Sequence, residues 1–165
     1  MAIIKWVFIV VLALIASAIV AGQLGLLQGK APTDLGVHEG KLKGLSATDN
    51  SVSSQADLYP NHPQHDYSSI APLALRGDGP NTIAKLKGIV ERMDGAKVIT
   101  SAPDYLYAQF TTPLMNYVDD VEFWFDPANQ VIQLRSASRV GKGDLGLNRK
   151  RMEVIRAALA AAPHG

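Results

Sequence analysis

The sequence predicts an α+β fold: a two-layer sandwich with an antiparallel meander of about four strands and two helices on one face. An N-terminal transmembrane helix and a loop-rich arm precede it. Three observations carry this. Four short stretches between Ala96 and Ser138 read as strands, most with alternating apolar and polar residues. Two stretches with apolar residues at helical spacing bracket them. Far upstream, Trp6 to Gly29 runs for 24 residues without a charge.

That uncharged run is long enough for a membrane span, which takes about 20 apolar residues as a helix. Trp6 stands beside Lys5 at its start, where an aromatic anchor belongs. A cleaved signal peptide is the rival, because Ala16-Ser17-Ala18 has the form of a cleavage site. The apolar run continues past that site through Ile19, Val20, Leu24, Leu26 and Leu27, which favours an uncleaved anchor over residues 1–29. A short anchor of this kind leaves its tail in the cytoplasm. In a bacterium it places the domain in the periplasm, tethered to the inner membrane, or secreted there if the segment is cleaved.

Residues 30–80 are rich in Gly, Ser, Asp, Asn and Pro and have no sustained period. Fifty such residues are unusual in a compact domain, so Asn50–Gln55 and Ser69–Leu75 are expected to lie against the core. The core proper is expected over 81–162, with a tail at 163–165. Asn81 or Thr82 is placed to cap a first helix carrying Ile83, Leu86, Val90 and Met93, and Asp94-Gly95 stops it. Leu106, Ala108 and Phe110 face inward on one strand, Val121, Phe123 and Phe125 on the next, and Ile132 and Leu134 on the last. A final helix after Asp144 buries Met152, Ile155 and Leu159.

Register can be argued from parity. Opposed residues share a face, so inward Phe123 or Phe125 must oppose inward Ile132 or Leu134. One register opposes Phe125 to Ile132 and Glu122 to Arg135. The other opposes Phe123 to Ile132 and Asp120 to Arg135. Either way Arg135 meets a carboxylate on the outer face. Tyr105, Tyr107 and Trp124 share that face and need a cover, which the arm supplies most economically.

Composition excludes several chemistries. The chain has no cysteine, which removes disulfides, thiolate catalysis and cysteine-ligated metals. Apart from Lys5, its 15 basic and 15 acidic residues balance, which argues against nucleic acid as a partner. The charges are nevertheless segregated: five acids and no Lys or Arg lie between Val98 and Leu134, and seven basic residues lie between Arg135 and Arg156.

Candidate sites follow from that pattern. In "SRVGKGDLGLNRKR", Gly141, Gly143 and Gly146 free backbone NH groups near a helix start, and Arg139, Lys142, Arg149 and Lys150 add charge. The spacing is not a P-loop. The same stretch also reads as a plain strand-to-helix connection with Asp144 as N-cap and its basic residues solvated or paired. Asp120 and Glu122 lie on one strand face, about 7 Å apart by strand rise, and read either as an acid–base pair or as a ladder meeting Arg135. His62 and His65 flank a proline with Asp57 and Asp66 near, a spacing that favours a solvated loop over a metal site. His38 and His164 stand without a constellation. The serines of "VSSQ" have no nucleophile elbow. No catalytic residue, metal or cofactor is assigned.

The segments "NSVSSQA", "YVDDVEFWFD" and "VIQLRSASRVGKGDLGLNRKRMEVIR" resemble the domain-of-unknown-function family 1499. The likeness spans roughly Leu35 to Leu159 and rests on Asn50, Val52, Ser53, Ser54, Asp119, Asp120, Glu122, Phe123, Arg135, Ser136, Ser138, Arg139, Gly141, Asp144, Gly146, Asn148 and Arg149. Many relatives are short envelope or membrane-associated proteins. The resemblance implies no reaction, cofactor or substrate. Leu45 and Ser51 stand where the family pattern has cysteines, so this arm is held without a disulfide.

The expectation is therefore an envelope binding or accessory module, non-catalytic. Its polar site is expected where Asn50–Ser54, Asp119–Glu122 and Ser138–Arg149 meet. Its ligand-binding candidates are Ser53, Ser54, Asp120, Glu122, Ser138, Arg139, Asp144, Asn148 and Arg149. Arg139 and Arg149 are expected to hold an anionic group, Asp144 to fix the loop and Ser138 to orient the ligand. The alternatives are an enzyme acting on an envelope lipid or other amphiphile through Asp120 or Glu122, and a purely structural motif. The expected partners are the membrane and an envelope protein or amphiphilic ligand.

Overall fold

The computed structural model describes residues 2–163, so His164 and the end of the expected tail lie outside the described residues. The first helix, α1 (Ala2–Gln23), is apolar all round, with no buried residue but Gly22. Its 22 residues make about 33 Å at 1.5 Å rise per residue, the thickness of a hydrocarbon core. It is long and apolar enough to cross a membrane, a description that a signal sequence also meets. Its one hydroxyl, Ser17, donates back to the Ala13 carbonyl at 2.8 Å and so leaves no unmet donor on the apolar surface. The helix ends against the domain. The Gln23 amide donates to the carbonyls of Pro113 and Leu114. Gly22 has no room for a Cβ, which would fall 2.6 Å from the Met115 carbonyl oxygen.

The arm contributes two short strands and one helix: β1 (Ser51–Ser53), α2 (His65–Ser68) and β2 (Leu73–Ala74). The core follows as α3 (Gly79–Val90), β3 (Ala96–Ser101), β4 (Tyr105–Thr111), β5 (Val118–Asp126), β6 (Val131–Ser138) and α4 (Leu147–Ala161). The sheet is antiparallel, in the order β1-β6-β5-β4-β3, with β2 also on β6. It thus has six strands rather than about four. The two extra ones come from the arm segments expected to lie on the core, and they cover the edge of β6 that a four-strand meander would leave unpaired.

Register between β5 and β6 is the first of the two that parity allows: Phe125 opposes Ile132 and Glu122 opposes Arg135. The inward set forms one core with both helices. Leu106, Ala108, Val121, Phe123, Ile132 and Leu134 pack against Ile83, Leu86, Val90, Met152, Ile155 and Leu159. Each large apolar side chain so buried contributes about 1.5–3 kcal/mol, which makes this layer the main source of stability.

Two helix starts differ from expectation. Helix α3 begins at Gly79, two residues before Asn81, because the Asp78 carboxylate caps it by accepting the Asn81 amide at 2.8 Å. Pro80 then fits the first turn, where its missing NH is not needed. At α4 the N-cap position belongs to Gly146, in the left-handed region at φ 77°, and not to Asp144. The Asp144 carboxylate reaches the same NH groups from two residues upstream, accepting from the amides of Gly146 and Asn148.

Candidate functional site

The acidic strand and the basic segment meet, on both faces of the sheet. Alternation sends Asp119 toward the helices and Asp120 and Glu122 toward the arm. All three are buried. Each faces an arginine. Arg151 of α4 donates to Asp119 at 2.6 Å, and its guanidinium lies 4.6 Å from the Phe110 ring centre. Arg139 grips Asp120 through two NH groups, at 2.8 and 2.7 Å. Arg135 lies across from Glu122 with a closest approach of 4.0 Å.

On the helix side the polar residues form a network around Asn148, in which Asn50 Oδ1 is buried without a hydrogen bond among the described residues. Its side-chain carbonyl accepts from Ser136 and Arg151, and its NH2 donates to the Asn50 carbonyl, Ser138 Oγ and Asp144 Oδ2. Asn50 in turn donates to the Gly141 carbonyl at 2.9 Å and to that of Ser138 at 3.3 Å. The Tyr67 hydroxyl donates to Asp144. Burial works to raise the Asp144 carboxyl, but the donors from Tyr67, Asn148 and Gly146 outweigh it and hold the group below its ordinary range. Arg149 donates to the carbonyls of Tyr67 and Ser69, fastening α2 to α4.

The expected site residues divide between the two faces of the sheet: Asp120, Glu122 and Arg139 lie on the arm side, Ser138, Asp144, Asn148 and Arg149 on the helix side, and Ser53 and Ser54 stand apart from both groups. Ser53 accepts from the Gln55 amide, and Ser54 bonds Gln133 and the backbone of Leu134, farther along β6 from the glycine loop. Of the arginines expected to hold an anion, Arg139 is taken by Asp120 and the Tyr107 hydroxyl, and Arg149 by two backbone carbonyls. Pairing with Asp120 raises the Arg139 pKa, so its charge is fixed. His65 bonds Asp66 on α2 and Asp57 of the short 3-10 turn at Ala56–Leu58.

The arm side is different. Residues 30–46 cross the outer face, with Gly36 at Glu122 and Tyr105 and Gly40 beside the Trp124 ring. The Gly36 amide donates to Glu122 Oε1 at 2.7 Å, and the Tyr105 hydroxyl donates to the same oxygen at 2.7 Å. Burial and the Glu122 charge push the Tyr105 hydroxyl far above its ordinary pKa. Both donors choose Oε1, and Oε2 is buried without a hydrogen bond. Between arm and sheet a cleft of about 470 Å³ remains open, bordered by Lys30, Asp34 and Lys43 from the arm and by Asp120, Arg135 and Arg139 from the sheet. Lys43 pairs with Asp34 at 2.6 Å.

Arg135 is the unusual member. Its side chain is 4 % exposed, yet only Nε is used, donating to the Gly44 carbonyl at 3.3 Å. Among the described residues its two terminal NH2 groups meet no acceptor within hydrogen-bond range. A charge-assisted pair closes to about 2.7–2.9 Å, as Arg139 and Arg151 do, and the 4.0 Å gap to Glu122 is not one. Burial lowers the Arg135 pKa below its ordinary value, against the pull of Glu122 and Asp120. Sequence reasoning placed Arg135 opposite a carboxylate, and Glu122 does face it, as a long ion pair at 4.0 Å. Lys30, Lys43 and Tyr105 at this place were missed as parts of a site. The available signal was that Arg135 shares its face with the aromatic residues that the arm covers.

No curated protein and no solved structure matches this chain. A family model does match, over residues 41–159, covering the network around Asn148, all of β1–β6 and nearly all of α4, while Lys30, Asp34 and Gly36 of the arm side lie before it. The chain belongs to the family described as protein of unknown function, DUF1499.

Proposed function

We propose that this protein is a membrane-tethered, non-catalytic binding module, held by α1 at the inner membrane with its domain in the periplasm. Its ligand site is the cleft between the arm and β6, and its ligand carries an oxyanion such as a phosphate or carboxylate. The carrying observation is Arg135: a nearly buried guanidinium bordering an open cleft, whose terminal NH2 groups make no hydrogen bond among the described residues and whose ion-pair partner Glu122 stands 4.0 Å away. Such a group is expensive to bury without partners, and an oxyanion supplies the bidentate geometry it lacks. Lys30 and Lys43 at the rim add attraction for the same charge. An acid–base role for Asp120 or Glu122 finds less support. Both carboxylates are buried, Asp120 is held by Arg139 and Tyr107, and Glu122 by Gly36 and Tyr105.

The test uses full-length protein in nanodiscs and inorganic phosphate as probe. Phosphate is expected to raise the melting temperature in a dose-dependent way, with the rise shrinking in Lys30→Gln and vanishing in Arg135→Gln. Lys30 is exposed, so its variant keeps the test meaningful if Arg135→Gln folds poorly. A phosphate response that is absent in the wild type, or equal in all three proteins, rejects the cleft as an anion site.

A further inference from the structure

Leu145 is fully exposed, at 104 % of its reference area, and its backbone is held in the left-handed region at φ 52°. A bulky side chain in that region is strained, and no apolar neighbour covers it. It is not alone. Leu147 and Val140 beside it are 42 % and 41 % exposed, and across the end of β5 Leu114 and Tyr117 are 57 % and 37 % exposed. Val140, Leu145, Leu147 and Tyr117 border one shallow, mainly apolar hollow with Thr112.

The place of this patch decides its occupant. It sits at the end of the sheet where β5 begins and β6 finishes, and α1 ends against the same loop, through Gln23 on Pro113 and Leu114. On the other side of α1's exit, Gly29 packs against Val140 so closely that a Cβ would lie 2.6 Å from it. Leu24 and Leu26, just past the helix, are exposed as well. Exposed apolar side chains thus lie on both sides of the junction between the span and the domain. Lys142 and Lys150 flank the patch, both exposed and without a side-chain partner among the described residues. Apolar side chains with a tyrosine, rimmed by lysines, are what an interfacial surface on anionic lipid requires.

We propose that this end of the domain rests on the bilayer that α1 enters, with Leu114, Tyr117, Val140, Leu145 and Leu147 at the level of the headgroups and upper acyl chains. The domain is then docked on the membrane rather than swinging from a tether. This rests on α1 being retained as an anchor, and the experiment separates the two ideas.

The chain has no cysteine, so a single introduced one carries a single label. Leu145→Cys, Ala13→Cys and Ala128→Cys are each labelled with an environment-sensitive dye in the full chain. They are reconstituted in phosphatidylcholine–phosphatidylglycerol vesicles that carry a doxyl quencher at shallow or deep positions. Ala128 is in the β5–β6 turn, about 25 Å away by strand rise, at the far end of the sheet. The expected result is deep quenching at 13, shallow quenching with a blue shift at 145, and neither at 128. Deep quenching at 13 with a label at 145 that behaves like 128 overturns the docking and leaves the anchor standing. No quenching at 13 overturns both.

Discussion

Asp119 and Asp120 are neighbours in the chain and belong to different sides of the molecule. The pleat of β5 gives one to Arg151 and the helices, the other to Arg139 and the arm. Neither pair is a surface ion pair: all four side chains are nearly excluded from solvent. At such a site, removing one partner leaves a buried charge without compensation, a loss of about 3–5 kcal/mol. Arg139→Met is therefore expected to destabilise by that amount in urea unfolding, through the stranded Asp120 carboxylate. Adding Asp120→Leu removes the stranded charge, so the double variant is expected to recover much of the loss. If the two losses simply add, the pair is not coupled and the bidentate geometry does not describe the folded state. The same reasoning separates Arg139 from Arg135. The former is occupied by the protein, while the latter has only one good hydrogen bond and a carboxylate held at a distance.

At the scale of elements, the long strands were legible because alternation over seven to nine residues leaves little choice of face, as Leu106, Ala108 and Phe110 show. The arm strands were not. Three residues at Ser51–Ser53 and two at Leu73–Ala74 hold no period to detect, and their pairing is decided by the open edge of β6. The start of α3 was misplaced because Asp78 acts from outside the apolar period, whereas Asp144 was read correctly as the carboxylate that caps α4 and only its position was off, the cap itself being Gly146. The Arg135 site was half legible. Parity found its face and its partner, but the 4.0 Å gap depends on Gly36 and Tyr105 holding the other Glu122 oxygen. The turn between α3 and β3 was legible in residue but not in role: α3 ends at Val90 with Glu91 as its C-cap, so Met93 lies past the helix and Asp94-Gly95 turns the chain into β3 rather than stopping the helix. Gly95 has φ 73°, and a Cβ there would lie 2.3 Å from the Thr111 carbonyl oxygen. Gly95→Ala is expected to cost about 2 kcal/mol or more, combining left-handed strain with a backbone clash. A calorimetric melting temperature equal to wild type would show that the turn can relax.

Over the whole molecule, the sheet is what joins the arm to the core. Strand β6 holds β5 on one edge and both arm strands on the other, while the arm crosses back over the outer face to Glu122. Residues 30–80 are therefore not an appendage: Val52, Ile70 and Leu73 belong to the same buried cluster as Phe123 and Met152. Lys30, seven residues after the end of α1, already borders the cleft. The apolar helix, the cleft and the core are thus consecutive stations of one chain, and arm and core should open as one cooperative unit. Leu73 is the place to test it, since it is 1 % exposed and lies on β2 against Ile132. Leu73→Ala is expected to lower global stability by about 2–5 kcal/mol, through lost burial and the cavity left behind. Hydrogen exchange reads whether that loss is shared. The Ser54 amide, bonded to the Leu134 carbonyl at 3.0 Å, reports the arm, and the amides of β4 and β5 report the core. Both should lose protection by the same free energy. A Ser54 amide that exchanges freely in the wild type, or alone responds to Leu73→Ala, would make the arm a separate unit. The cleft would then be a lip that opens without the core.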